Sequence, residues 1–191
     1  MQIIPILLVA AAVFGICYLV DKAFTKKFRS RQQHLSGLAV RANKMYGVFG
    51  VALSALGLMS IVVGITSGVL LLIGGILVLA MGAGLAAHYL TFGIFYDGES
   101  FLVCSLGKKE HSHFYKEIKE QKLYILQGGS VIVELYLEDG TSVSLQSTLD
   151  GVYPFLDTAF AGWCIQTGRD PQSCDFHDPS KHWWFPHEEE M

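Results

Sequence analysis

The sequence predicts a membrane α-helical protein with three transmembrane helices in its first half, followed by a small α+β domain in water. Three observations predict it. Between Met45 and Tyr96 there is no Asp, Glu, Lys or Arg in 52 consecutive residues. A second run, Ile3 to Val20, is free of charge over 18 residues. Beyond the third apolar stretch the spacing of apolar residues changes from helical to alternating, the mark of strands. Composition agrees: 51% of the chain is hydrophobic, 16% is charged, and the mean hydropathy is +0.39, where soluble domains carry about a quarter charged residues.

The run from Ile3 is long enough to cross a hydrocarbon core of roughly 30 Å, and it defines span one, residues 1–21. A cleaved signal peptide competes with this reading, but that would call for a positive start and a small-residue cleavage box. The chain instead starts Met1-Gln2, and the run ends in Tyr18-Leu19-Val20-Asp21-Lys22. Pro5 falls in the first turn, where its missing N–H costs nothing. As one helix the charge-free stretch would reach about 78 Å at about 1.5 Å per residue, so it must fold back. Thr66-Ser67-Gly68 is the natural break, dividing residues 45–92 into a hairpin with spans at about 46–65 and 69–92. Gly50, Ser54 and Gly57 on one helix, with Gly75, Gly82, Gly84 and Ala86 on the other, are expected to let the two backbones approach closely.

Charge bias sets the orientation. Residues 22–44 form a basic linker holding Lys22, Lys26, Lys27, Arg29, Arg31, Arg41 and Lys44, and the hairpin turn holds no base at all. By the positive-inside rule the linker is cytoplasmic. The expected topology is therefore multi-pass in the plasma (inner) membrane, with the N-terminus outside and the C-terminal domain cytoplasmic. Lys26, Lys27, Arg29 and Arg31, with Phe24 and Phe28 among them, are candidates for contact with the anionic inner leaflet; topology alone would also explain their charge. Residues 97–191 hold sixteen acids against seven bases, so linker and domain are expected to attract. Neither half has the basic face that nucleic acid requires. In this topology Cys104, Cys164 and Cys174 sit on the reducing side and Cys17 in lipid, so no disulfides are expected.

Strand candidates in residues 93–168 begin with Phe92–Tyr96 and Phe101–Leu106, joined by the turn Asp97-Gly98-Glu99-Ser100. His113–Ile118, Gln121–Gln127, Val131–Leu137 and Ser142–Leu145 follow, with Gly128-Gly129-Ser130 and Glu138-Asp139-Gly140 as turns. A helix closes the domain, its apolar face running through Leu149, Val152, Phe155, Leu156, Ala159, Phe160, Trp163 and Cys164, with Asp150 or Thr148 as cap.

Phe95-Tyr96-Asp97-Gly98 with Phe101-Leu102-Val103, then Tyr115-Lys116-Glu117-Ile118, then Leu135-Tyr136-Leu137-Glu138-Asp139-Gly140 and the closing helix together resemble the pleckstrin-homology-like (PH-like) fold. The resemblance is particularly to bacterial membrane-anchored proteins in which such a domain follows a helical hairpin. It covers about residues 92–168. The resemblance implies an antiparallel sheet capped by one C-terminal helix, and binding or scaffolding more often than catalysis. It carries no catalytic signature. The basic loop with which eukaryotic relatives hold phosphoinositides is not evident, because Lys108-Lys109 is followed by Glu110.

Candidate sites are few. His111 and His113 lie two apart on one strand face and are weak metal candidates, without the paired ligand spacing of zinc sites; scattered surface histidines are the plainer reading. His88, the one ionisable side chain inside the charge-free stretch apart from its tyrosines, falls near the span's end and reads more readily as interfacial than as a proton relay. Residues 169–191 form an acidic, aromatic tail. There Trp183, Trp184 and Phe185 are interaction candidates that must dock on their own domain, on the membrane or on a partner. No nucleophile, base and acid fall in a recognisable order, and no phosphate loop follows a strand. The sequence therefore reads as a membrane protein presenting a cytoplasmic PH-like interaction or scaffold domain, with no catalytic residue and no cofactor expected. The bilayer is its expected partner, together with a second copy or another membrane protein through the hairpin. An accessory subunit of a membrane transporter or enzyme complex is the alternative, and a metal-dependent membrane enzyme a third.

Overall fold

The charge-free stretch folds back on itself as its length demands. In the computed structural model, which describes Gly15, Tyr18, Gln33 and residues 36–105 and 110–187, it forms α1 (Lys44–Ser67) and α2 (Val69–Thr91). Asn43 caps α1, its Oδ1 accepting from Met45 N at 2.9 Å. Gly68 alone separates the helices, with a φ of 142° that L side chains rarely adopt. Both helices are long and apolar enough to cross a membrane. A soluble core helix of this apolarity would be mostly covered, yet only 17% and 11% of the two spans is buried. Of the three expected spans these are the two found among the described residues. Span one gains no support, since it lies outside those residues except for Gly15 and Tyr18.

Every fully buried residue of α1 and α2 is a glycine: Gly47, Gly50, Gly57 and Gly64 on one, Gly75 and Gly82 on the other. Gly50, Gly57 and Gly64 recur every seventh residue, and so do Gly75 and Gly82. That spacing lays a bare backbone strip along one side of each helix, because seven residues is close to two turns. The strips meet: a Cβ on Gly57 would stand 2.5 Å from Leu79 N, and one on Gly75 2.7 Å from Ile61 N. Gly84, expected in this seam, faces away, with nothing within 4 Å of its Cβ position. It lies two residues on from Gly82, about 200° around the helix.

Among the described residues the second unit is a domain of seven strands and one α-helix. β1 (Ala39–Arg41) lies upstream of the hairpin, inside the stretch read as basic linker. β2 (Gly93–Tyr96), β3 (Ser100–Cys104) and β4 (His111–Phe114) follow the hairpin, and the four make one antiparallel sheet in the order β1-β2-β3-β4. β1 joins by pairing Val40 with Ile94 and Arg41 with Gly93. Its backbone is then bonded on both sides, because Arg41 and Asp150 exchange N–H to O bonds of 3.0 and 2.9 Å. Ahead of β1, Gln33 Nε2 donates to Ser100 Oγ and Ser112 Oγ, and Ser36 Oγ to Tyr96 O.

The expected single strand over His113–Ile118 is instead two strand ends joined by a 3-10 turn, Tyr115–Glu117. This turn carries the chain from the first sheet to the second. Tyr115 holds it: the side chain is fully buried, its hydroxyl donates to Asp97 O, and its ring occupies the space where any Cβ on Gly162 would lie. The second sheet is β5 (Ile118–Ile125), β6 (Val131–Leu137) and β7 (Ser142–Gln146), joined by turns at Gly128-Gly129 and Gly140, all with positive φ. Its alternation is plain along β6, where Val131, Val133, Leu135 and Leu137 are buried.

α3 (Val152–Thr167) lays Val152, Phe155, Leu156, Ala159, Phe160 and Trp163 on this core. Neither Asp150 nor Thr148 caps it. The cap position is Gly151, whose φ of 85° and whose Cβ position 2.6 Å from Ala39 O both require glycine.

Two consequences can be measured. Gly57→Ala is expected to destabilise the hairpin by about 1–3 kcal/mol more than Gly84→Ala in detergent micelles, because the helix-propensity gain is common to both and only the first forces backbones apart. Val40→Asp places an unpaired charge at a fully buried site. It is expected to cost about 4 kcal/mol or more and to unfold the water-exposed domain in thermal scans. Leu38→Asp, at a position 47% exposed, should change the midpoint little.

Candidate functional site

β4 brings His111 and His113 to one face, as alternation requires, with ring centroids 6.2 Å apart. Their surroundings differ. His113 is buried against the Phe101 ring and its Nδ1 lies 3.0 Å from Glu117 Oε2, whereas His111 is exposed. The two line a cleft of about 370 Å³ with Val103, Ser105, Thr141, Ser142 and Val143. Asp139, in the turn beside it, is held below the usual carboxylate range, first by the Thr141 hydroxyl and backbone N–H and, to a smaller degree, by the two histidines. Among the described residues no three His, Cys, Asp or Glu side chains are placed to hold a metal ion. His113 and Glu117 form a base with its orienting acid, but no nucleophile hydrogen-bonds the other ring nitrogen among the described residues.

A second cleft, of about 470 Å³, was not legible as a motif. Lys116 from the 3-10 turn, Lys119 from β5 and Arg169 beyond α3 surround an apolar floor of Ile118, Trp163, Phe176 and Pro186, with Glu138 the single acid. The Arg169 guanidinium lies 4.9 Å from the Trp163 ring centroid, a cation–π contact, and Trp163 Nε1 donates to Ile118 O at 3.0 Å. Three of the seven bases in an acidic stretch thus gather at one place. Fifty residues of sequence separate Lys119 from Arg169, which is why sequence spacing does not reveal the group.

The tail closes the domain rather than extending from it. Asp178 and Trp183 bond to each other through their backbones at 2.8 and 3.0 Å, and His182 makes the reversal at φ 64°. Trp184 and Phe185, interaction candidates for which the sequence favours docking on their own domain, are each 1% exposed and belong to the domain core. Gln121, itself buried on β5, holds them: its Oε1 accepts from Trp184 N and Phe185 N, and its Nε2 donates to His182 O. Trp184 Nε1 donates to Asp157 Oδ1 at 2.8 Å. Trp183 remains half-exposed against His187.

Lys26, Lys27, Arg29 and Arg31 lie outside the described residues, as do Lys108 and Lys109. His88 is on the last turn of α2, stacked on Phe92 at 5.4 Å. Comparison with known protein families, curated proteins and solved structures finds no match to this chain.

His177 provides a test of tail docking. Its ring stacks flat on Phe160 at 3.7 Å, and burial pushes its pKa below the ordinary 6.5, against weaker opposing effects of Trp184, Asp157 and Asp178. The unfolded chain therefore takes up this proton first. Stability is unaffected above about 6.5, falls as pH drops through that value, and stops falling below the folded-state pKa. His177→Phe keeps the stacked ring and removes the proton. Its thermal midpoint is expected to depend less on pH below 6.5 than that of the parent.

Proposed function

We propose that this chain is an integral membrane protein that presents a PH-like interaction or scaffold domain to the cytoplasm, through a helical hairpin inserted between the domain's first and second strands. The observation that carries the reading is the domain's layout: four antiparallel strands, then three, then one helix packed over the common core. A sheet pair closed in this way has its interior filled by side chains, which leaves recognition to its rims. The Lys116–Lys119–Arg169 cleft over Trp163 is the rim that combines charge with an aromatic floor, so an anionic partner group is the ligand chemistry it favours.

The accessory-subunit reading keeps a place because the faces of α1 and α2 away from the glycine seam are strongly apolar, with Ile65 at 72% and Leu70 at 89% exposure. Lipid or a neighbouring helix would satisfy them equally. Purification in mild detergent separates the two: a lone protein or homo-oligomer supports the scaffold reading, and a stoichiometric second membrane protein the accessory one.

Orientation belongs to the same proposal and has its own measurement. In a cysteine-free variant of intact cells, a reporter cysteine at Ser67 is expected to react with an impermeant thiol reagent, and one at Ser130 is not. Labelling at Ser130 alone would reverse the orientation and move the domain outside.

A further inference from the structure

The tip of the second sheet carries apolar surface that neither the clefts nor the helix seam uses. Tyr124, Ile125 and Leu126 end β5 and begin its turn into β6, and all three are exposed, Ile125 to 76%. From Leu123 to Val133 the chain holds no Asp, Glu, Lys or Arg over eleven residues. The turn itself stands open, since a Cβ on Gly128 or Gly129 would meet no atom within 4 Å. Turns at the surface of a domain in water are ordinarily polar, and three consecutive exposed apolar residues are a liability unless they have a use.

A chain of bonds ties this tip to the end of the domain from which the hairpin departs. Ile125 pairs with Val131, and Val131 N donates to Ser147 Oγ at 3.0 Å while Val131 O accepts from Ser147 N at 2.8 Å. Ser147 leads through a turn, closed by Leu149 N to Gln146 O, to Asp150, which is bridged to Arg41. Arg41 stands three residues before Lys44, the start of α1, and its partner Gly93 stands two residues after Thr91, the end of α2. The far end of the first sheet is its turn at Asp97–Ser100, where α3 finishes: Gln166 Nε2 donates to Glu99 O at 2.7 Å.

We propose that the Tyr124–Ile125–Leu126 tip dips into the interface of the bilayer crossed by α1 and α2, as a shallow attachment in addition to those helices.

The proposal rests on the reading of α1 and α2 as membrane spans. Three Cα–Cα steps reach at most about 11 Å, so the Arg41–Gly93 end of the domain is tethered close to the bilayer surface. The polar layer outside the hydrocarbon is only about 5–8 Å deep on each side, so a tip at that end reaches acyl chains by a short projection. Tyrosine is favoured at this depth, and Ile125 and Leu126 gain there the cover that their own domain does not supply. The backbone enters with its bonds made: Leu126 N donates to Ser130 O and Gly129 N to Leu126 O. A protein partner fits less well, because three side chains are far fewer than the roughly 20–30 residues a side of a stable protein interface. Lipid requires no matching shape.

The test uses the full-length protein in phosphatidylcholine vesicles, with one tryptophan added at a time and the parent's own tryptophan emission subtracted. Ile125→Trp is expected to lose most of its added emission when the acyl chains are brominated near the headgroup, and less when they are brominated near the chain ends. Leu56→Trp, at an exposed position midway along α1, should show the reverse order. Ile165→Trp, at a position 80% exposed on the last turn of α3, is the control for a tip without this placement and should not be quenched. Leu126→Trp repeats the measurement if Ile125→Trp lowers the thermal midpoint of the domain. No quenching at Ile125 with quenching kept at Leu56 overturns the proposal and leaves the spans standing, whereas no quenching at either position overturns both. Quenching at Ile165 equal to that at Ile125 also overturns the proposal, because the contact would then not belong to the tip. So does blue-shifted emission at Ile125 that bromine leaves unchanged, the sign of a protein surface over the tip.

Discussion

The antiparallel pairing of Ala39–Arg41 with Gly93–Phe95 is the constraint on which the rest of the domain depends. Val40 and Ile94 face each other across a sequence separation that contains both apolar helices, and both are fully buried. Completing the first sheet requires the chain to run out through both helices and return. Closure over such a length would be costly for a flexible loop, since the entropy of joining the ends grows with loop size. Two packed helices with one residue between them remove most of that freedom beforehand. The glycine seam therefore affects more than the helices that own it: by making the hairpin a defined object, it lowers the cost of forming β1–β2.

The seam explains itself by contact distance. In lipid there is no gain from hiding Leu from water, so helix pairs associate by close packing and by weak polar contacts. Glycines at Gly50, Gly57, Gly64, Gly75 and Gly82 allow backbone to touch backbone, and the bulky residues point outward, where their apolar surface suits hydrocarbon. A soluble hairpin would distribute these residues the other way round. Gly50, Gly57, Gly75 and Gly82 were legible as small residues on the two spans, Gly47 and Gly64 were passed over, and Gly84 shows the limit of composition: a small residue counts only on the correct side of its helix.

Much of the domain was legible because its signals are local. The alternation in Val131–Leu137, the glycine turns and the three-four spacing of α3 each depend on a few neighbouring residues. β1 was not, because three residues, Ala-Val-Arg, are too short to show a period and their partner lies beyond the hairpin. The 3-10 turn at Tyr115–Glu117 reads as strand for a related reason. What bends it is the buried Tyr115 side chain meeting Gly162 and Asp97, partners far along the chain. The cationic cleft failed in the same way, its three bases being brought together by the fold. The tail was half legible: two adjacent aromatic residues declared that they need cover, but only Gln121 in the middle of β5 identifies the cover as their own domain.

Both ends of the domain's sequence are therefore used to close its core, and by opposite means. At the front, β1 contributes mainly backbone, bonded to β2 on one side and to Asp150 on the other. At the back, the tail contributes mainly side chains, Trp184 and Phe185, and its backbone meets β5 at one residue, Gln121, through both the side-chain amide and the N–H that donates to Pro186 O. A strand held by a ladder opens only when several bonds break together. A segment held at one strand residue, by the Trp184–Asp157 bond and by stacked rings has no ladder to break, so it can leave as a unit with less disturbance to the sheets. The tail is thus the part of the domain whose release would cost the sheets least, although it covers Phe160 and Trp163 on α3.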